Sequence, residues 1–411
     1  MIPMPLDADE LVALHDDMRY GPYLMQPSVQ MLDLDHGLIS DLSDRVVDGQ
    51  VDCKLEGKIA TRSLSLTLVD PAREVAIDGE DVGDGALFYD KMISAGIRFK
   101  GPRLGRWVRI PIFCGPMTNG GRSGYTAQVT AQGKERLATG MVWDAKNVTA
   151  GTKKVTAISD ALVATGEDPA RIQLPDIPGK IPNDILLERT DNEWASVVVP
   201  VSASTNRQGL YDGRGDYRLR VWPDDPAVVF TDGNGGTILT HPEVKYDQYA
   251  GWNGVWVKGQ RKPTGKRVES VLWLPENHPC SPWSRKRGGV PFRMAYVVTN
   301  SKVRNQAEAD DLAERYLRRL AREIVNVTAD VMPNWLLEPG DVIAFRTLEL
   351  GNIEQVLSEF SLPLLPGVSM SVGATKVLQR PIKNRRNGGR TARPTTPTRH
   401  HRSSMKEDRV A

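Results

Sequence analysis

The densest group of residues that could bind a charged partner lies at the C-terminal end of the sequence. Between Arg380 and Ala411 ten Lys or Arg residues oppose Glu407 and Asp408, giving a net charge of +8 and leaving −6 on the rest of the chain. Such a segment can hold phosphates or an acidic protein surface, although a plain solvated terminus is the equal alternative. No aromatic residue is interleaved, so base-specific readout is not expected. The candidate partner-binding residues are Arg380, Lys383, Arg385, Arg386, Arg390, Arg393, Arg399 and Arg402.

The motifs of common enzymes are missing from the sequence. There is no GxSxG, GxxxxGK[ST], HExxH or CxxC pattern, which removes the main support for nucleophile-elbow hydrolases, P-loop enzymes and thermolysin-like proteases. His15, His36 and His241 are isolated, and His400 and His401 lie in the basic segment, whereas a metal site needs ligands with convergent spacing. We therefore predict a non-enzymatic protein with no catalytic residue, no cofactor and no metal site.

Two short sequences imitate binding motifs. The run from Asp232 to Gly236, with Glu243 at the twelfth position, resembles a calcium loop, but Thr237 stands at the sixth position, where the loop requires Gly. A hairpin turn is the simpler interpretation, and whether calcium binds near Asp232 stays open. The tripeptide Arg214–Asp216 matches a cell-adhesion motif, yet between two strand candidates a tight turn is expected.

Tryptophan side chains are concentrated in the second half of the chain, at Trp252, Trp256, Trp273 and Trp283. Flat rings on a surface can stack on sugars, which would indicate a carbohydrate-binding protein. Their alternating placement in predicted strands instead favours core or interface packing. Surface exposure of Trp252 and Trp256 would separate the two interpretations.

Composition indicates an ordinary folded protein. The 411 residues are 40% hydrophobic and 25% charged, enough for two or three domains. No window approaches the roughly 18 apolar residues of a membrane span, and the first residues are acidic where a signal peptide is basic, so we expect no stable membrane insertion and assembly in a cytoplasm. Cys53, Cys114 and Cys280 are far apart and odd in number, which predicts reduced structural thiols.

Residues 1–145 read as one mostly antiparallel β-barrel domain. Apolar residues fall on every second position in Leu64–Leu68, the period of a half-buried strand. Further strands are predicted at Trp107–Cys114 and Tyr125–Gln132, with the Asn-Gly-Gly sequence of Thr118–Gly121 as the hairpin turn between them.

The sequence pattern changes after residue 145, and residues 146–235 are predicted to form a smaller connecting α+β domain. Val155–Ala164 has helical spacing, and the Pro-rich Leu174–Pro182 suits neither a helix interior nor a central strand. Val197–Val201 and Arg218–Trp222 are predicted strands.

Residues 236–378 predict a second β-barrel domain. Its strongest feature is a helix over Gln306–Glu323, which begins with a capping box of Asn305 and Glu308 and carries one apolar stripe. Residues 379–411 are too polar to fold alone and predict a flexible basic C-terminal arm. The expected fold is thus mainly β with some α: two related antiparallel β-barrels flanking an α+β insert, plus the arm.

Two passages resemble the tail-hub proteins of tailed bacteriophages, also called baseplate-hub, tail-associated or minor tail proteins. The first is the strand pattern of Ser63–Asp70, Trp107–Thr118 and Tyr125–Glu135. The second is the helix of Val303–Leu317 with the turn and strand of Leu337–Ile343. Together they extend over most of residues 60–375.

The resemblance implies a structural role at the tip of a long phage tail. In such proteins two related barrels per subunit form a homotrimer with six similar units, which adapts the sixfold tail tube or distal tail ring to a threefold tip. The expected partners are the distal tail protein, the tape-measure protein, other minor tail or tip proteins and, transiently, genomic DNA. The expected location is the virion tail tip, with roles in tail assembly and genome delivery. Some relatives carry an additional C-terminal enzymatic domain, and here only the arm follows the second barrel.

Two other classes of function stay open at this point. One is a carbohydrate-binding or carbohydrate-degrading tail-tip protein that contacts the host surface. The other is a nucleic-acid-binding protein driven by the basic arm, which would show binding to DNA that weakens steeply with salt.

Overall fold

The computed structural model describes residue 4 and residues 6–56, 59–70, 90–205, 207–246, 252–262, 265–278, 280–284, 286, 288–301, 303–320, 325–349 and 351–376. Within these ranges the helices are α1 (Ala8–Tyr20), α2 (Lys154–Ala164), α3 (Val199–Ser204) and α4 (Gln306–Leu320), and a π-helical turn, Trp194–Val198, leads directly into α3. The strands are β1 (Leu24–Asp33), β2 (Leu38–Asp41), β3 (Val46–Glu56), β4 (Ile59–Val69), β5 (Lys91–Lys100), β6 (Val108–Ser123), β7 (Thr126–Gln132), β8 (Lys146–Val148), β9 (Ile172–Gln173), β10 (Ile185–Leu187), β11 (Arg207–Tyr211), β12 (Tyr217–Val221), β13 (Pro226–Thr231), β14 (Glu243–Tyr246), β15 (Gly254–Arg261), β16 (Arg267–Trp273), β17 (Ala295–Thr299), β18 (Val325–Val331), β19 (Val342–Thr347), β20 (Gly351–Pro363) and β21 (Met370–Lys376).

One long ladder of strands connects the two ends of the described chain. Its order is β14-β18-β21-β20-β3-β4-β7-β6-β5-β1-β2, with every neighbouring pair antiparallel. The junction between the N-terminal and C-terminal strands is the pairing of β3 with β20, from Gln50–Pro363 to Lys54–Glu359. The mainly β, antiparallel class predicted from the sequence is confirmed, whereas the domain boundaries and the relatedness of the two barrels stay predictions.

The alternation of apolar and polar residues in β4 matches the strand that the sequence predicts. Leu64, Leu66 and Leu68 of β4 are buried in the core, and the intervening residues face outwards. Opposite them across the β4–β7 ladder lie Ala131 and Val129, which are buried as well. These cross-strand neighbours lie on the same face of the sheet as the leucines and contribute to one continuous apolar surface.

The hairpin turn predicted at Thr118–Gly121 is wrong. Strand β6 continues through these residues to Ser123, and Gly120 and Gly121 pair with Val129 and Gln128 of β7. The turn lies at Gly124, whose φ of 61° is the left-handed conformation that glycine tolerates best. The Asn-Gly-Gly sequence therefore marks a permissive stretch of strand rather than the reversal.

The strand predicted at Val197–Val201 is also wrong, because this segment is helical. It forms the end of the π-helical turn and the start of α3. Trp194, Val197, Val198 and Val201 are buried, and their spacing of three and four residues is that of a helix face. Tertiary burial of this face outweighs the β propensity of the valines.

The other long elements agree with the sequence. Helix α2 covers the predicted Val155–Ala164, and β12 covers most of the predicted strand Arg218–Trp222. Its hairpin partner is β11, which the sequence analysis did not predict. Helix α4 begins as expected, since the Glu308 N–H donates to Asn305 Oδ1 at 2.9 Å, although the Glu308 carboxylate accepts from the N–H of Arg304. Its apolar stripe, which includes Leu312 and Leu317, packs on β15 and β16, and the predicted final turn lies outside the described residues.

Of the three hydrophobic clusters inside the described chain, one is small, formed by Leu32, Met92 and Cys114, and two are large. The larger of these two combines strands of both β-rich regions with α1 and α4, and it contains Phe99, Phe113, Trp335, Phe345 and Phe360. The other lies within residues 138–219 and is built on the mutually packed rings of Trp194, Tyr211 and Tyr217, with centroids 5.4–6.1 Å apart. Buried charged residues lie between the elements that carry these clusters.

Candidate functional site

The basic residues predicted to bind a partner lie outside the described residues. All eight, from Arg380 to Arg402, come after residue 376. Their role therefore stays a prediction, and the geometry available for a functional site is that of the folded body.

The first group of charged residues, the arginine centre, consists of Glu338, Asp341, Arg62, Arg218 and Arg220. Glu338 is fully buried in the turn that leads into β19, where Gly340 adopts a φ of 90°. Arg218 donates to both carboxylate oxygens of Glu338 at 3.1 and 3.2 Å, Arg220 donates at 3.2 Å and Arg62 at 3.3 Å. Arg220 also donates to Asp341 at 2.8 Å. The centre joins β4, β12 and the turn before β19.

Electrostatics keep Glu338 ionised. Burial alone would raise the pKa of this carboxyl group, but the positive charges of Arg220, Arg62 and Arg218 lower its pKa to about 2. Asp212 adds a further ion pair, 3.1 Å from Arg218 Nε. Three guanidinium groups thus face three buried carboxylates, so the formal charges balance, while Arg218 and Arg220 keep 16% and 14% of their side chains exposed.

The second group, the lysine centre, consists of Lys134, Glu167, His36 and Tyr211. The buried Lys134 ammonium lies 2.7 Å from Glu167 Oε1, 2.7 Å from His36 Nε2 and 3.3 Å from the carbonyl oxygen of Gly215. The Tyr211 hydroxyl donates to the other Glu167 oxygen at 3.0 Å. Since an ammonium group has three N–H donors, these three acceptors use all of them.

His36 serves in this centre as a neutral acceptor. Burial lowers its pKa to about 4, and the neighbouring Lys134 charge acts in the same direction. Its Nε2 can therefore accept from Lys134 while Nδ1 carries the proton and lies 4.0 Å from Cys114 Sγ. His36 has a φ of 66°, so the turn after β1 holds the ring in place with a left-handed backbone.

The two centres meet at Tyr211. Its carbonyl oxygen accepts from Arg62 of the arginine centre, and its hydroxyl group donates to Glu167 of the lysine centre. The sequence analysis singled out His36 but none of the other members, because each is an ordinary charged residue in a strand or turn. The arrangement is suited to fixing the relative positions of strands rather than to presenting a reactive group.

Of the four tryptophans proposed as a sugar platform, Trp252 is exposed, and the other three, Trp256, Trp273 and Trp283, are half-buried. Trp252 is 37% exposed and meets the edge of Tyr296, with ring centroids 5.9 Å apart. The Trp256 ring is half-buried, and the Lys258 ammonium lies 4.1 Å from its centroid, over the ring face. The most exposed described tryptophan is Trp143 at 88%, which the sequence analysis did not single out.

The two imitated motifs are turns, as expected. In the first, Gly233 and Gly235 have φ angles of 84° and 76°, and the Thr237 N–H donates to the carbonyl of Thr231 at 2.7 Å. Arg214–Asp216 forms the reversal between β11 and β12. Among the described residues no three His, Cys, Asp or Glu side chains are close enough to hold a metal ion.

The three cysteines are buried and form no disulfide with one another. Burial raises the pKa of Cys53 and Cys114 to about 11 in each case, so both stay protonated near neutral pH. This agrees with the prediction of reduced structural thiols. Within the described ranges, no helix has the length and apolar character needed to cross a bilayer.

Comparison with known proteins identifies the fold. No protein-family model and no curated protein sequence matches the chain. Among solved structures, the tail protein from Neisseria meningitidis MC58 is 13% identical with a TM-score of 0.56, over 85% of this chain and 96% of that one. The 43 kDa tail protein of prophage MuSo2 from Shewanella oneidensis is 10% identical with a TM-score of 0.57, over 86% and 98%.

A third structure agrees with these two. The prophage tail protein gp18 from Listeria monocytogenes EGD-e is 11% identical with a TM-score of 0.51, over 85% of this chain and 94% of that one. At such low identity the likeness concerns the fold alone. The resemblance noted in the sequence is confirmed at that level: the chain has the fold of phage tail proteins.

Proposed function

We propose that the protein is a structural component of a phage tail, the hub at the tail tip. The observation that carries the proposal is the extent of the structural likeness, which covers 85–86% of this chain and 96–98% of two phage tail proteins. A match over nearly the whole of both chains concerns their complete architecture rather than one shared domain. The fold by itself does not specify function, so the proposal needs its own tests.

The chemistry of the buried centres supports a non-enzymatic role. The N–H groups of Lys134 are all used, and the Glu338 carboxylate is held by three arginines. An enzyme needs a nucleophile, acid or base that can reach its substrate. Here the most concentrated charges of the described body cross-link strands, as expected for a part that bears load in an assembly.

The assembled form in this proposal is a homotrimer. A threefold ring with two β-rich units per subunit presents six similar surfaces, which matches a sixfold tail tube or distal tail ring. Its other partners are the tape-measure protein and further minor tail or tip proteins. Genomic DNA contacts it transiently. The proposed location is the tail tip of the virion.

The oligomeric state is tested on the full-length chain by light scattering after size-exclusion chromatography and by negative-stain electron microscopy. The expected result is a particle of three times the chain mass, with threefold rings in end views. An obligate interface of this kind buries roughly 2,000 Å² or more and persists on dilution. A monomer at all concentrations would contradict the trimer.

The basic arm is proposed to hold an acidic partner during assembly. Its net charge of +8 can attract such a partner over a distance, and many weak contacts can offset the entropy lost on binding. The test is removal of residues 380–411. We expect the truncated protein to stay trimeric while completion of tails and infectivity fall. Infectious particles at normal yield would show that the arm is an ordinary solvated terminus.

Carbohydrate binding at the tip is a second candidate, favoured by the 88% exposure of Trp143. An open indole face can stack on a sugar ring. Substitution Trp143→Ala should then abolish binding to host cell-wall glycans, while Trp256→Ala serves as the control at a half-buried ring whose face is covered by Lys258. Equal binding by wild type and Trp143→Ala, or no binding by either, would remove this candidate.

A further inference from the structure

A cleft of about 270 Å³ separates helix α1 from the edge of strand β13. Its helix wall carries His15, Asp16 and Arg19, and its opposite wall is the stretch Pro226–Phe230. Met18 and Phe230, both almost fully buried, form the floor. The volume approaches that of small ligand sites and is enough for a few residues of extended chain.

The walls of this cleft are fixed. Leu14 and Met18 of α1 belong to the main hydrophobic cluster. At the C-terminal end of the helix, the buried Asp17 carboxylate accepts from the N–H of Arg103 at 3.1 Å and of Leu104 at 2.9 Å. Because the helix is held at several points along its length, the cleft is preformed and binding there needs no rearrangement.

Strand β13 presents an open edge to the cleft. It pairs in parallel with β19 on one side. Thr231 directs its N–H and carbonyl away from β19, to Thr237, while the next residue, Asp232, donates to Arg346. Since these directions alternate along a strand, the N–H and carbonyl of Val229 also point away from β19, and no described residue pairs with them.

A bulge precedes Val229 in the same edge. The register changes between Pro226 and Val228, which leaves Ala227 without a partner on β19. Bulges of this kind are frequent where a strand meets a binding site. The edge therefore offers backbone donors and acceptors over a short length, with one end closed by the Thr231–Thr237 contacts.

The charge of the cleft favours an acidic ligand. Asp16 is neutralised by its ion pair with Arg103. Arg19 lies over the ring of Tyr20, with its guanidinium carbon 4.8 Å from the ring centroid, and its side chain is half-buried in the cleft wall. Its Nε is shielded from solvent, so a carboxylate in the cleft would pair with the terminal guanidinium nitrogens in a charge-assisted hydrogen bond.

We propose that this cleft is a strand-addition site for a short extended peptide segment of a partner protein that carries an acidic side chain. The peptide adds to the β13 edge through the N–H and carbonyl of Val229, and its carboxylate pairs with Arg19. An apolar neighbour of that side chain contacts the floor at Met18 and Phe230. The site does not depend on the trimer of the proposed function.

The test uses two fluorescein-labelled, acetylated probe peptides, Thr-Val-Glu-Val-Thr and Thr-Val-Lys-Val-Thr, titrated with the full-length protein and followed by anisotropy. We expect saturable binding of the Glu peptide, at least about tenfold tighter than that of the Lys peptide. Arg19→Gln should remove this preference. Arg106→Gln, which changes an arginine paired with Glu10 outside the cleft, is the matched control and should leave it unchanged.

A second variant tests the strand addition itself. Val229→Pro removes the N–H that faces the cleft and leaves the β19 pairing groups intact, so it should abolish binding with an unchanged unfolding midpoint. In the wild type, hydrogen exchange at the Val229 amide should slow when the Glu peptide binds. This second readout decides the question even where the variant fails to fold. The proposal is overturned by no saturable binding of the Glu peptide, by equal binding of the two peptides, or by an unprotected Val229 amide in the complex.

Discussion

The arginine centre and the lysine centre both compensate a buried carboxylate, but they do so with different cationic groups. Both bury a carboxylate between segments that are far apart in the sequence. In the arginine centre three guanidinium groups surround Glu338, whose pKa is lowered to about 2. In the lysine centre the single ammonium group of Lys134 pairs with Glu167. The other two contacts of this ammonium group are the neutral ring of His36 and the carbonyl oxygen of Gly215.

The difference lies in how each centre responds to loss of a member or of charge. Guanidinium groups stay protonated at any pH at which the protein folds, so the arginine centre keeps its charges. The lysine centre depends on a histidine whose proton affinity changes on folding. We therefore expect the first centre to be worth more stability and the second to be the more sensitive to pH.

The largest effect is expected from Glu338→Gln. The amide retains the shape of the side chain but removes the negative charge, which leaves the buried Arg62 and the partly buried Arg218 and Arg220 insufficiently compensated. Breaking a buried ion pair in this way costs about 3–5 kcal/mol of unfolding free energy. Urea unfolding followed by circular dichroism measures the change.

The matched control for that variant is Glu314→Gln. Glu314 pairs with Arg318 one turn away on the exposed face of α4, where such pairs contribute about 0.5 kcal/mol or less. Similar losses for the two substitutions would show that the arginine centre is not a special source of stability.

A smaller loss is expected from Lys134→Met. The apolar chain fills most of the space, and Glu167 keeps its hydrogen bond from Tyr211, so the cost should be about 2–3 kcal/mol. Lys54→Met, at an exposed pair with Glu359, is the control and should change the unfolding free energy by less than about 1 kcal/mol. A loss of unfolding free energy for Lys134→Met equal to or larger than that for Glu338→Gln would contradict the ranking of the two centres.

The smallest effect is a pH dependence that His36→Asn should remove. Because the pKa of His36 is about 4 in the folded protein and near 6.5 when unfolded, only the unfolded chain takes up this proton between those values. Stability is therefore fully present above pH 6.5 and falls as the pH drops towards 4, by roughly 1–2 kcal/mol after allowance for solvent screening. Asparagine tolerates the positive φ and does not titrate.

The measurement is the difference in unfolding free energy between wild type and His36→Asn from pH 7 to pH 4. Burial raises the pKa of Glu135 to about 7, so this group acts in the opposite direction, but it is present in both proteins and cancels in the difference. Parallel pH curves for the two proteins would contradict the role assigned to His36.

The two centres also show what the sequence can and cannot predict. Alternation in Leu64–Leu68 predicts a strand because the signal lies within five residues. The arginine centre gathers Arg62, Arg218 and Glu338 from positions more than a hundred residues apart, and nothing local distinguishes these charges from surface ones. Only the fold brings them together.

The wrong local predictions have a related cause. Val197–Val201 has the composition of a strand, but the helical spacing of its buried face becomes decisive only when the packing partners, including Trp194, are known. At Thr118–Gly121 glycine chemistry permits a turn without requiring one, and pairing with β7 keeps the chain extended. The cleft beside β13 could not be predicted at all, since it depends on where α1 docks.

The most direct test of the proposed role is to locate the protein in tailed particles produced by the organism whose genome carries its gene. Purified tailed particles are labelled with a gold-conjugated antibody raised against residues 1–378 and imaged by electron microscopy, with particles pre-incubated with the purified protein as the specificity control. Gold at the end of the tail that is distal to the head is the predicted result. Particles that carry no label although the antibody recognises the denatured protein in infected cells, or label confined to the head, would contradict a structural role at the tail tip.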